Sequence, residues 1–189
     1  HPDVRIRNRS WQLAILENQK LALAKSSEPA LPAYQPTGGY PLKVLVMVSA
    51  PEGSVRLDFE GEELRLLQAF APLMEQGLVQ VHFTDDGSLE DLKAKLGENK
   101  YHIFHFSGHG VFEEKKGGYL ALEQPHTGQL HRATADEINT VFQEAHQKDH
   151  RPDLILLSAC QTAQGEDAAD LSGIAERLHR GGVPAVLAM

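Results

Sequence analysis

Asp153-Leu-Ile-Leu-Leu-Ser-Ala-Cys160-Gln-Thr-Ala carries the only cysteine among 189 residues, at the end of an apolar run. Such a run, bounded by turn-forming residues, reads as a fully buried parallel strand. In an open parallel sheet, chemistry collects at the carboxyl ends of the strands. Cys160 therefore belongs at the lip of the sheet. Tyr101-His-Ile-Phe-His-Phe106 is a second strand of the same form, and it runs into Ser107-Gly108-His109-Gly110. Glycines on both sides of a histidine predict a sharp, exposed turn. If the two strands are parallel neighbours, His109 and Cys160 come side by side at one edge.

The rest of the chain supplies further strands and the helices between them. Leu42 to Ser49, Leu78 to Phe83 and Val183 to Ala188 read as strands. Asp58 to Gln76 reads as a helix with Leu64, Leu67, Ala71 and Met74 on its buried face. Ser88-Leu-Glu-Asp91 starts a short helix with Leu89, Leu92 and Leu96 inward. Gly118 to Glu123 and Gln129 to Arg132 read as a hairpin. Thr134-Ala-Asp-Glu137 is a capping box ahead of Ile138, Val141, Phe142 and Ala145. Leu171, Ile174, Ala175 and Leu178 form a helix stopped by Gly181-Gly182. Alternating strands and helices predict an α/β fold, a mostly parallel central sheet with helices on both faces. Residues 1 to 41 stand apart. Trp11 to Leu16 is a short helix or strand, and Ser26 to Pro41, with four prolines and two glycines, is an extended linker.

Composition removes several functional classes. A formal net charge of −8 without a Lys/Arg run argues against a nucleic-acid surface. No apolar run approaches the roughly 18 residues of a membrane span. A single cysteine excludes an internal disulfide and fits a reducing cytoplasm. His102, His105 and His109 invite a metal reading, but strand residues three apart point to opposite faces, so His102 and His105 do not chelate together. No His-Glu-x-x-His motif, complete dinucleotide fingerprint or Walker loop is present. No cofactor is expected.

His109 lies 51 residues upstream of Cys160 (160 − 109), and a histidine about 50 residues before the cysteine is the caspase arrangement. His-Phe-Ser-Gly-His109-Gly with Leu-Ser-Ala-Cys160-Gln-Thr-Ala resembles the CHAT domain, the caspase-like peptidase domain of bacterial proteins that often carry TPR repeats. Lys43-Val-Leu-Val-Met-Val-Ser-Ala-Pro51, Leu57 to Leu64 and Gly181 to Ala188 are similar to further parts of that family. The resemblance covers about residues 40 to 189. It divides the chain into a lead-in segment and linker over 1–41 and a caspase-like three-layer sandwich over 42–189. It also implies at least one more helix and strand, which help form the substrate pocket in relatives. By that reading the chain is either the larger piece of a processed enzyme, with a small subunit elsewhere, or a truncated fragment.

The resemblance implies a cysteine endopeptidase acting on a protein substrate, controlled by a regulatory repeat domain or an activating partner. Cys160 is the expected nucleophile and His109 the general acid and base. The backbone N–H groups of Gly110 and Cys160 are the expected oxyanion hole. Asp58, Ser158 and Asp167 are candidate substrate-binding residues. The acidic loops Glu52 to Asp58 and Glu166 to Asp170 favour a basic side chain by charge complementarity. The plainer role of these aspartates is helix capping. The plainer role of Cys160 is a buried structural thiol. A catalytically silent interaction module with the same fold is the rival for the whole chain, and the intact cysteine–histidine pair counts against it.

Overall fold

The computed structural model describes residues 11–17, 20–25, 41–54, 58–113, 117–159 and 171–188. Among them the elements are β1 (Trp11–Glu17), β2 (Lys20–Lys25), β3 (Leu42–Val48), α1 (Phe59–Glu75), β4 (Val79–Phe83), α2 (Leu89–Glu98), β5 (Ile103–Glu113), β6 (Gly117–Glu123), β7 (Leu130–Thr134), α3 (Ala135–Gln147), β8 (Leu154–Ala159), α4 (Leu171–Arg180) and β9 (Ala185–Ala188). The main sheet has the order β2-β1-β9-β8-β5-β3-β4. Every pair in it is parallel apart from the β1–β2 hairpin. Trp11 to Leu16, open in the sequence between helix and strand, is therefore a strand, and Ala14 pairs with Leu187 of β9.

Alternation along β3 sorts the core into two layers. Leu45 and Met47 join Phe104, Phe106, Ile155 and Leu157 against α2, α3 and α4. Val44, Val46 and Val79 face the other way, with Leu66 and Phe70 of α1 packed on them. This is the helix–sheet–helix sandwich expected from the alternating pattern. The helices start where their caps say they should. The Ser88 hydroxyl accepts the Asp91 N–H at the start of α2. Thr134 and Glu137 complete both halves of the capping box on α3, whose Ile138, Val141, Phe142 and Ala145 are all buried.

The expected inner face of α1 holds only for Leu67 and Ala71, which are half-buried. Leu64 is 56 % exposed and Met74 39 % exposed, while Leu66 and Phe70 meet the sheet. Apolar residues occur on several sides of this helix, so two stripes fit a 3.6-residue period. Contact with Val44, Val46 and Val79 selects the stripe that Leu66 and Phe70 carry.

The second correction concerns Gly108-His109-Gly110. No turn interrupts this stretch. β5 runs on to Glu113, and its far half pairs antiparallel with β6, His109 opposite Ala121 and Gly110 opposite Leu120. Gly108 answers to close approach. A Cβ there would lie 2.5 Å from Cζ of the buried Phe106 ring and 3.1 Å from the Ser49 carbonyl oxygen. We expect Gly108→Ala to destabilise the fold by about 1–3 kcal/mol, the usual range for overpacking. Urea unfolding checks this, and an unchanged midpoint would mean that the Phe106 ring gives way freely.

Candidate active site

The chain leaves β3 toward β4 on one side of the sheet and returns to β5 on the other. α1 covers one face and α2 the other. That reversal between β3 and β5 is a topological switch point, where ligands bind outside the carboxyl ends of strands in open α/β sheets. β5 is held between β3 and β8, both parallel to it. Its pairing with β8 matches Ser107 with Ser158 and Gly108 with Ala159. The residues that follow in the chain are His109 and Cys160. Cys160 itself lies outside the described residues, and so does Asp167.

His109 is 6 % exposed, so the strand rather than a loop fixes its backbone. Strand parity puts it on the same face as Ile103, which packs on the α1 side of the sheet. Gly110 is partly buried beside it. Ser158 is partly buried on β8, opposite the buried Ser107. Among the described residues no hydrogen bond or ion pair joins Asp58 to this group. It is the exposed N-cap of α1, accepting the Gly61 N–H at 3.2 Å and pairing with Arg65 at 3.1 Å. Capping is thus what its carboxylate does, as the plainer reading expected.

The other two histidines of this stretch have separate surroundings. His102 precedes β5, and its Nδ1 accepts the Lys43 N–H at 2.9 Å. His105 shares the α1-facing parity of His109, and its buried Nε2 has no hydrogen-bond partner among the described residues. Burial holds the His105 imidazole below its ordinary value, and the Glu62 carboxylate on α1 pulls weakly the other way. Among the described residues no group of three or more His, Cys, Asp or Glu side chains is placed to hold a metal ion.

A pH dependence of stability follows from His105. The unfolded chain binds a proton at this site as pH falls through about 6.5, and the folded chain does so only at lower pH. Stability is therefore full above that value and declines below it. Thermal unfolding between pH 7.5 and 5.5 should show a slope that shrinks in His105→Leu. An identical slope in both proteins would remove His105 as its source.

Sequence reasoning missed a third group at this edge. Ser49, Gly87 and Glu123 tie the loops after β3 and β4 to the end of β6. Nothing in the local sequence signals it, because the partners lie 36 to 73 positions apart.

Among the described residues no helix is long and apolar enough to cross a membrane. None of the curated proteins matches the chain. The family model of the CHAT domain matches residues 6–189, reaching further toward the start than the motifs themselves do. A parallel sheet flanked by helices, a buried histidine on its central strand and a match over nearly the whole length agree. The chain belongs to the CHAT-domain family, which is of the caspase-like cysteine-peptidase type.

Proposed function

We propose that this protein is a cysteine endopeptidase working through Cys160 and His109. The observation that carries the reading is the β5–β8 register, in which Gly108 pairs with Ala159 one residue before each reactive side chain. The Cys160 thiolate attacks the scissile carbonyl carbon. The C–N bond breaks as the His109 imidazolium gives its proton to the leaving amine. Water then attacks the thioester, His109 takes its proton, and the thiol is released. Oxyanion donation by the Gly110 and Cys160 N–H groups supplies about 2.7–4 kcal/mol per donor at the transition state. Gly110 suits that role because a side chain would crowd the tetrahedral centre. A thiol nucleophile and a lone cysteine fit a bacterial cytoplasm. There, activity is held in check by a regulatory repeat domain or an activating partner.

The test is cleavage of a peptide library by the protein beside its Cys160→Ala variant. Cleavage that vanishes in the variant supports the peptidase and reveals the preferred side chain. Equal cleavage by both removes Cys160 as nucleophile. Silence from both, with the partner supplied, favours the rival, a module that binds without cutting.

A further inference from the structure

We propose that Glu123 is a positioning residue for the substrate, holding the loop after β3 in register with His109. This rests on the peptidase reading above. Glu123 ends β6, two residues beyond Ala121, the cross-strand partner of His109. Its Oε1 accepts the Ala50 N–H at 2.8 Å and its Oε2 accepts the Gly87 N–H at 3.3 Å. Ala50 is the second residue of the loop after β3, and Gly87 lies in the loop after β4. The Glu123 N–H donates in turn to the Gly87 carbonyl at 2.9 Å.

Neighbouring groups close the joint. The Ser49 hydroxyl, fully buried, is shared between the Ala121 carbonyl at 3.0 Å and the Gly87 carbonyl at 3.3 Å. A Cβ on Gly87 would lie 2.7 Å from the Ser49 hydroxyl and 2.8 Å from Glu123 Oε1. Three chain segments therefore meet too closely for any side chain at that position. Further along the same loop, the Glu52 N–H donates to the Gly128 carbonyl at 2.8 Å. The loop after β3 is thus fastened at two points to the β6–β7 hairpin, and through β6 to the strand of His109.

The chemistry of the joint is specific to a carboxylate. Two backbone N–H groups face two oxygens, and an ionised carboxylate accepts at both. A glutamine of equal size accepts at one and presents its own N–H to the other donor. A side chain present only to fill space would tolerate that exchange. The crevice outside the carboxyl ends of the strands is where substrate sits, and the loop after β3 borders it. Loosening that loop weakens substrate binding and leaves the reacting atoms in place.

Two measurements on the full chain test this. One is hydrogen exchange at the Ala50 and Gly87 amides. The other is steady-state hydrolysis of a peptide chosen from the library. In Glu123→Gln both amides are expected to exchange about tenfold faster or more. KM is expected to rise roughly tenfold, while kcat changes by less than about threefold. Glu123→Asp, which keeps both acceptors on a shorter arm, should fall between wild type and Glu123→Gln. Unchanged exchange, an unchanged KM, or a Glu123→Gln protein that behaves as wild type where Glu123→Ala does not, would each overturn the proposal. If the wild type hydrolyses nothing yet exchange in the variant rises, the peptidase reading falls and takes the substrate role with it.

Discussion

Cys160→Ala, His109→Gln and the double variant are expected to lose peptide hydrolysis to nearly the same extent, each by about 10⁴-fold or more in kcat, as units of nucleophile and base do. The thiol is a poor nucleophile until it is a thiolate, and a partner imidazole both favours that form and protonates the leaving amine. Removing either member removes the shared step. If the two acted independently, their losses would multiply to about 10⁸-fold, far below any residual rate from the oxyanion donors and binding alone. Single-turnover hydrolysis of one fluorogenic peptide by all four proteins separates these cases. A double variant slower than both single variants by the product of their effects would break the unit. Alkylation offers a second readout. Wild-type Cys160 should react with iodoacetamide well below the pH of an ordinary thiol, and His109→Gln should move that profile toward about 8.5.

Much of the fold was legible because its strands are buried on both faces. Val44 to Met47 and Ile155 to Leu157 read as continuous apolar runs for that reason, and the structure buries Leu45, Met47, Ile155 and Leu157 in one layer and Val44 and Val46 in the other. α3 was legible from its cap and from a single apolar stripe. α1 was not, because Leu64, Leu66, Leu67, Phe70, Leu73 and Met74 satisfy more than one face. Only the sheet beneath it decides between them.

The candidate site divides the same way. That the stretches before His109 and Cys160 are buried strands was legible from their apolar runs, and the structure pairs them in parallel as far as Gly108 and Ala159. That His109 sits inside a strand did not follow, since flanking glycines are the residues of an exposed turn. Here Gly108 serves the packing of Phe106 and Ser49 instead. A close approach of that kind is a property of the tertiary structure and leaves no local pattern. Glu123 shows the same limit more sharply. A glutamate at a strand end is ordinary, and its role depends on amides at Ala50 and Gly87 that only the folded chain brings to it.

Phe142→Ala is expected to destabilise the protein by about 3–5 kcal/mol, the range for removing a buried aromatic ring. Phe142 is 0 % exposed, on the face of α3 that meets the sheet. Its ring stands edge-on to Phe104 of β5, with centroids 5.7 Å apart and planes at 60°. The side chain therefore carries both the transfer energy of its own burial and an aromatic contact with the strand that leads to His109. For a domain of this length the loss corresponds to a fall in Tm of roughly 10 °C. Phe142→Leu keeps most of the volume and should lose less than half as much, about 1.5 kcal/mol. Chemical unfolding of the three proteins orders them. A loss below about 1 kcal/mol for the alanine variant would place Phe142 outside the tightly packed core, because a buried ring cannot be deleted that cheaply. The comparison also bears on the site. Phe104 and Phe106 lie on one face of β5 and His109 on the other. A cavity beneath Phe104 should therefore lower stability first, and activity only once the strand itself begins to loosen.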